Sequence, residues 1–195
     1  TMSKGSYIRI PAADQLNLED EYTISFWLKD ARDDEAPILF RQNPSYTDNN
    51  DNEFTYSLYI NAWNKGTEGS MNFYDYLFNS DSWSPDHGPG LLTDFNYDDN
   101  KVKTTNWNHY TFTYKDGQTK CYINGVLRNK SEESDLVNIA NASGDLLVGF
   151  DGDKFFTGTI DELVISTISA SADDVEKEAA RADSISLSSS DISSI

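Results

Sequence analysis

Apolar and polar residues alternate along several short stretches of the chain. Every second position is apolar in residues 22–28, in residues 55–60 and in residues 109–114. A period of two is the pattern of strands that bury one face against a core. Two further apolar runs lie at 146–150 and 159–165. Many short strands of this kind predict an all-β fold, an antiparallel sandwich or barrel.

Glycine-containing dipeptides mark turns between some of these strands. Asp116-Gly117 and Asn124-Gly125 are both flanked by alternating segments. Such pairs tolerate the positive φ angles of two-residue turns and are strong hairpin signals. Residues 107–128 are therefore predicted to form three consecutive antiparallel strands.

One short helix is predicted near the C-terminal end. Ser171 supplies an N-cap, and Asp173 and Asp174 bring negative charge to the first turn, where the helix dipole favours it. Good helix formers continue to residue 182. The serine-rich residues 184–195 predict a linker or the start of a following domain, so the folded domain is expected at 1–183.

A long stretch between the predicted strands has an unusual composition. Residues 43–100 hold ten acidic residues, one lysine and 12 of the 25 aromatic residues of the chain. Long loops in a compact domain are commonly functional or disordered, and the interleaved aromatic residues argue against disorder here. We interpret this stretch as a long insertion that contains some strand.

The charge of the chain limits its partners. The formal net charge is −18, with 33 acidic residues against 15 lysines and arginines. Such a surface repels phosphate backbones and anionic lipids, so nucleic acid and membrane partners are not expected. Neutral glycans and divalent cations are compatible with it, and solubility alone is the alternative explanation. No apolar run is long enough to predict a transmembrane helix.

The residues that catalysis or zinc binding would need are scarce. Cys121 is the one cysteine, so no intrachain disulfide can form, and His87 and His109 are the two histidines. We expect Cys121 to be a small core residue rather than a nucleophile. Glycosidases of related sandwiches need paired carboxylates, and the E-x-D-x-x-E pattern that supplies them is absent. A non-catalytic domain is therefore predicted.

Five motifs occur in order along the chain. They read GSYIRIP and YTISFWLK at 5–29, WNHYTFTYKDG at 107–117, CYINGVL at 121–127, LVG and FTGTIDELVI within 147–165, and SADDV at 171–175. Together they resemble bacterial laminin-G-like domains of the concanavalin A-like lectin and glucanase type, outside residues 43–100. The resemblance implies a jelly-roll β-sandwich with one short C-terminal helix.

The same resemblance implies a function. It suggests a carbohydrate-binding, lectin-like module that holds a parent glycoside hydrolase or surface protein on a neutral glycan. The tail at 181–195 is similar to the entry of bacterial immunoglobulin-like domains that neighbour such modules. We therefore expect a secreted or cell-surface monomer that is excised from a longer protein. The alternative is an adhesion or spacer module that recognises a protein or no ligand.

Asp161 is the best single candidate for a metal ligand. In a regular strand it would share a face with Leu163 and Ile165, and a buried carboxylate needs a compensating partner. Calcium prefers such oxygen ligands, and the resemblance implies a structural calcium at this position. Asp20, in the loop before the second strand, is a candidate second ligand. The alternatives are a carboxylate bonded to loop amides and an exposed residue at a bulge.

The aromatic and polar residues of the insertion form the candidate glycan site. Sugars offer apolar faces that stack on aromatic rings and hydroxyls that bond to Asp, Asn and His. The alternative role for each aromatic residue is to anchor a long loop to the sandwich. The candidates are Tyr46, Trp63, Tyr74, Tyr76, Trp83, Asp86, His87 and Asn96.

Overall fold

The structure is a computed structural model that describes residues 5–18, 20–29, 36–42, 56–65, 68–75, 102–130 and 144–181. Eleven strands lie in these residues, with a single turn of 3-10 helix at Asp14–Leu16 and the helix α1 at Ala172–Arg181. The strands are β1 (Ile8–Ile10), β2 (Glu21–Lys29), β3 (Ala36–Gln42), β4 (Tyr56–Lys65), β5 (Glu68–Asp75), β6 (Val102–Lys103), β7 (Asn108–Lys115), β8 (Gln118–Ile123), β9 (Val126–Lys130), β10 (Leu146–Val148) and β11 (Thr159–Ser166).

The strands form two antiparallel sheets. One sheet has the order β1-β10-β3-β4-β5-β6, and the other has the order β11-β2-β7-β8-β9. Apolar side chains from both sheets meet in one buried cluster, which includes Ile24 and Phe112 from the second sheet and Ile60 and Val148 from the first. The predicted antiparallel β-sandwich with one short C-terminal helix is confirmed.

Both predicted hairpins are present. Asp116 and Gly117 have φ angles of 51° and 76°, and Asn124 and Gly125 have 51° and 79°. Positive φ at both central residues defines the tight turn that matches the twist of paired strands. The turns join β7, β8 and β9 in the predicted order.

The helix α1 begins at the predicted cap. The Asp174 backbone N–H donates to Ser171 Oγ at 3.2 Å, and Ser171 Oγ donates to the Asp174 carboxylate at 2.6 Å. On the inner side of α1, Val175 and Ala179 are buried. A Cβ atom added to Gly125 would lie 3.1 Å from the Glu176 Cα, so the helix lies against the β8–β9 turn. The described part of the chain contains no helix that is long and apolar enough to cross a membrane.

The strands β2 and β7 differ from the predicted pattern of one buried face. Every residue from Tyr22 to Leu28 is buried. The alternate polar residues of these strands lie on the outer face of the five-stranded sheet, and Ser25 and Thr111 are almost fully buried there. The segment before α1 crosses this face, because Thr23 Oγ1 donates to Ile168 O at 2.7 Å and accepts from the Ala170 N–H at 2.8 Å. Alternation identified the core face and did not reveal that the other face is also covered.

The strands β4 and β5 lie inside the stretch that was interpreted as a long insertion. The strand β4 continues beyond the segment predicted at 55–60, and β5 is a further strand of this stretch. The rest of residues 43–100 lies outside the described residues. The predicted boundary between 1–183 and 184–195 also falls outside the described residues, so it stays a prediction.

Candidate functional site

A row of side chains crosses the outer face of the six-stranded sheet. In the register of the strands, Arg9 pairs with Leu147, Leu147 with Phe40, Phe40 with Tyr59, and Tyr59 with Tyr74. Phe40 and Tyr59 meet edge to face, with ring centroids 5.8 Å apart. The row therefore places aromatic residues on adjacent strands, away from the core.

The loop at 149–156 reaches this face through Asp151. The loop is closed by a hydrogen bond from the Phe156 N–H to Gly149 O at 2.9 Å and by stacking of Phe150 on Phe155 at 4.4 Å. Leu147 and Phe40 are only 5% and 4% exposed, although they face away from the core. Tyr59, the next residue of the row, keeps intermediate exposure.

Asp151 forms the edge of that loop. Its Oδ2 accepts a hydrogen bond from the Tyr59 hydroxyl at 3.0 Å. Its Oδ1 accepts from the backbone N–H groups of Asp153 and Lys154 at 3.0 and 2.7 Å. These three bonds hold a carboxylate beside the ring of Tyr59 on the outer face.

Two of the predicted ligand residues lie on strands of this face. Trp63 on β4 pairs with Ser70, and Tyr74 on β5 pairs with Tyr59. Trp63 therefore lies on the same strand as Tyr59, and Tyr74 lies directly across from Tyr59 on the next strand. The other six candidates lie outside the described residues: Tyr46, Tyr76, Trp83, Asp86, His87 and Asn96. Sequence reasoning missed Tyr59 and Asp151, since nothing local in the chain links residues 92 positions apart.

Asp161 is exposed, and the expectation that it is buried was wrong. The register of β11 against β2 shifts between Asp161 and Val164, and Glu162 in the shift has a φ of +48°. This bulge breaks the alternation that would have buried the carboxylate. Asp161 Oδ1 accepts a hydrogen bond from the Glu162 N–H at 2.8 Å, as the alternative interpretation expected.

The structure does not bring Asp20 to Asp161. Asp161 pairs with Trp27 near one end of β2, whereas Asp20 precedes the other end of that strand. Seven residues of extended chain separate Asp20 from Trp27, which corresponds to about 23 Å. One ion therefore cannot have both carboxylates as ligands. In the described ranges, no three His, Cys, Asp or Glu side chains are grouped as a metal site would need.

Two titratable residues of the family motifs, His109 and Cys121, are buried. His109 is 2% exposed and contacts Trp27 in a tilted arrangement, with ring centroids 4.9 Å apart. Burial lowers the pKa of His109 from 6.5 to about 4, so the ring is neutral at pH 7. Burial also raises the pKa of the Cys121 thiol well above its usual value. The expected role of Cys121 as a small core residue agrees with this burial.

The sequence of nearly the whole domain matches one family model. The match covers residues 2–176 and is described as the concanavalin A-like lectin/glucanases superfamily. The chain belongs to this superfamily. Its domains are lectin-like binding folds, and no curated protein sequence matches this member.

Solved structures show the same fold at low sequence identity. Domain 4 of AbnA, an extracellular arabinanase of family GH43 from Geobacillus stearothermophilus in complex with arabinotriose, is 21% identical, with a TM-score of 0.57 over 89% of this chain and 72% of that one. A heptameric pentraxin from Limulus polyphemus is 14% identical, with a TM-score of 0.57 over 89% and 81%. The binding domain of Paraclostridial Mosquitocidal Protein 1 is 16% identical, with a TM-score of 0.55 over 92% and 42%.

Proposed function

We propose that this domain is a non-catalytic module that binds a neutral glycan on the outer face of the six-stranded sheet, beside Tyr59 and Asp151. The observation that carries the proposal is the contact between Tyr59 and Asp151, which fixes an aromatic ring beside a carboxylate. Trp63 and Tyr74 occupy positions of the same face. This combination suits a sugar, whose apolar side stacks on rings while its hydroxyls donate to oxygen acceptors.

The charge of the chain supports a neutral ligand. Asp151 carries negative charge at the edge of the face, and the chain as a whole carries a net charge of −18. An acidic sugar would be repelled by this field, whereas the hydroxyls of a neutral sugar gain charge-assisted hydrogen bonds. The arabinanase domain in complex with arabinotriose supports a saccharide ligand for this fold, although its identity to this chain is too low to carry over the ligand.

A glycan microarray followed by calorimetry on the best ligand tests this proposal. Trp63→Ala and Asp151→Asn are expected to weaken binding by about tenfold or more, because each removes a stacking or hydrogen-bonding group worth about 1.5 kcal/mol. Asp173→Asn, which removes an exposed charge on α1, is the matched control and should leave the affinity unchanged. Binding that is equally strong in all three variants would place the glycan elsewhere and refute this site.

The biological setting follows from the same proposal. A module without its own catalysis raises the local concentration of an attached enzyme or adhesin on the glycan surface. We propose that the domain is an extracellular, monomeric part of a longer polypeptide. Light scattering of the domain should give the mass of one chain, and a stable dimer would contradict this part of the proposal.

Calcium at Asp161 stays a prediction, which no longer rests on burial of the carboxylate. The carboxylate is exposed and therefore does not require a cation to compensate for burial. What supports calcium is the family resemblance and the Asp161 oxygen that the Glu162 amide leaves free. Calorimetry with calcium, after treatment with EDTA, should show binding heat and a higher melting temperature if an ion is held. No heat and no change in melting temperature would contradict it.

A further inference from the structure

Three aromatic rings meet at the base of the loop at 149–156, and the proposed glycan site does not use them. Phe150 and Phe155 stack with their ring centroids 4.4 Å apart. Tyr7, which precedes β1, places its ring 5.0 Å from that of Phe150 and 6.4 Å from that of Phe155, tilted by 38° and 49°. These three residues are here called the aromatic cluster.

The aromatic cluster lies at the surface rather than in the core. Tyr7 is 46% exposed, and Phe150 and Phe155 keep intermediate exposure. The next residue of the chain, Phe156, is fully buried in the core cluster. Apolar surface left in water costs about 25 cal/mol per Å². A ligand that covers the Tyr7 ring with an apolar surface of its own therefore gains binding free energy there.

The loop holds two of these rings in place. Phe150 and Phe155 face each other across the loop as an antiparallel β-bridge. The turn between them is fixed by Asp151 Oδ1, which accepts from the N–H groups of Asp153 and Lys154 at 3.0 and 2.7 Å. The Tyr7 ring leans on this preorganised support. Rings that are already ordered lose little entropy when a ligand binds to them.

The same loop joins the aromatic cluster to the proposed glycan site. Phe150 directly precedes Asp151, so their Cα atoms lie about 3.8 Å apart. Asp151 Oδ2 in turn accepts a hydrogen bond from the Tyr59 hydroxyl at 3.0 Å. In the sheet order β1-β10-β3-β4, three strand spacings, or about 14 Å, separate the strand that follows Tyr7 from the strand of Tyr59. One sugar ring does not span that distance, whereas a chain of sugar residues does.

We propose, on the basis of the glycan function above, that the aromatic cluster is a second subsite for the same glycan chain. One sugar residue binds beside Tyr59 and Asp151, which form the first subsite. Another residue of that chain lays its apolar side on the exposed Tyr7 ring. The ligand is then a neutral oligosaccharide or polysaccharide chain rather than a single terminal sugar.

A sugar fits the aromatic cluster better than a protein or a lipid surface does. A stable protein interface buries about 800 Å² on each partner. Tyr7 is the one exposed ring of the three, and a whole aromatic side chain offers only about 150–250 Å². The net charge of −18 repels an anionic bilayer. One flat ring beside the first subsite suits the apolar side of one sugar residue.

The dependence of affinity on the length of the glycan tests this proposal. The probes are the monosaccharides arabinose and glucose and the trisaccharides arabinotriose, cellotriose and maltotriose, with dissociation constants from NMR titrations. The unaltered domain should bind at least one trisaccharide about tenfold more tightly than its monosaccharide, because only the longer ligand reaches Tyr7. In Tyr7→Ala this advantage should fall to about twofold or less, because the stacking surface is lost.

Three further variants separate stacking from other effects. Tyr7→Leu keeps an apolar side chain against Phe150 and Phe155 but has no flat ring, so it should lose the advantage of the trisaccharide as Tyr7→Ala does. Asp151→Asn acts at the first subsite and should weaken binding of the monosaccharide and the trisaccharide alike. Trp107→Ala, the matched control, removes a ring that is 41% exposed and belongs to neither subsite, and it should keep the full advantage.

Failure of the second subsite and failure of the proposed glycan site give different results. If the advantage persists in both Tyr7 variants while Asp151→Asn weakens binding, the aromatic cluster is not a subsite and the proposed site stands. If the Tyr7 variants lose the advantage while Asp151→Asn binds normally, the cluster binds sugar without the Tyr59 site, and one continuous site is refuted. Equal affinity for monosaccharides and trisaccharides in the unaltered domain overturns the second subsite, and no binding of any probe overturns both proposals.

Discussion

Mild acid is expected to destabilise the domain through His109. Its imidazole packs against Trp27 at an interplanar angle of 41°, and its Nδ1 lies 3.4 Å from Thr111 Oγ1. Among the described residues, no carboxylate forms an ion pair with it. Protonation would therefore place an uncompensated charge in a buried site, and this is why burial lowers the pKa of His109 to about 4.

The sign and the size of the effect follow from linkage. The unfolded chain binds the histidine proton with a pKa of 6.5, more tightly than the folded domain, whose pKa is about 4. The neutral ring therefore favours the folded state fully above pH 6.5, and that stability is lost as the pH falls from 6.5 towards 4. Between pH 7.5 and pH 5 the loss amounts to about 2 kcal/mol in the free energy of unfolding. The lowered pKa values of Asp145 and Asp174 put their titration below this window.

Urea unfolding of the domain and of His109→Phe, followed by tryptophan fluorescence across this pH range, measures the loss. The phenylalanine keeps a ring against Trp27 and cannot be protonated, so the difference between the two proteins isolates the histidine from the other titrating groups. The free-energy difference should shift by about 2 kcal/mol in favour of the variant between pH 7.5 and pH 5. Parallel pH curves for the two proteins, or an NMR titration midpoint of His109 above pH 6, would refute the reasoning.

Three substitutions in or beside the five-stranded sheet should each change the free energy of unfolding, which urea unfolding measures. Thr23→Val removes the hydroxyl that pairs with Ile168 and Ala170, and should cost about 1–3 kcal/mol, because two part-buried backbone groups lose their partner. Ser25→Ala on the same face removes a buried hydroxyl that has no hydrogen-bond partner within the described residues, and should raise stability by about 1 kcal/mol; a loss would contradict the missing bond. Gly125→Ala should cost about 1–2 kcal/mol at its φ of +79°, and more where the new Cβ meets Glu176; an unchanged stability would show that the helix moves freely.

The features that the sequence predicts well are those decided within a few residues. The hairpins at Asp116-Gly117 and Asn124-Gly125 follow from local turn chemistry, and the cap at Ser171 follows from its hydroxyl and the acidic first turn. The buried faces of β2 and β7 follow from alternation. The same turn chemistry places β7, β8 and β9 next to one another, and the five ordered motifs identify the sandwich.

The features that the sequence does not predict depend on contacts between distant parts of the chain. Glutamate does not favour positive φ, so the sequence around Glu162 does not predict the bulge that exposes Asp161. Ser25 and Thr111 have the polar character of a solvent-facing row, yet both are almost fully buried. The contact of Tyr59 with Asp151 joins two segments that no local pattern relates.

The two outer faces of the sandwich are covered over part of their area, and this decides where a ligand can reach the domain. On the five-stranded sheet, Ser25 and Thr111 of the middle strands are almost fully buried, and Thr23 bonds to the segment before α1. On the six-stranded sheet, Leu147 and Phe40 are buried, and Tyr59 bonds to Asp151 of the loop at 149–156. The proposed glycan site adjoins that last contact, because the Tyr59 ring and the Asp151 carboxylate together offer a stacking surface and an acceptor for hydroxyls.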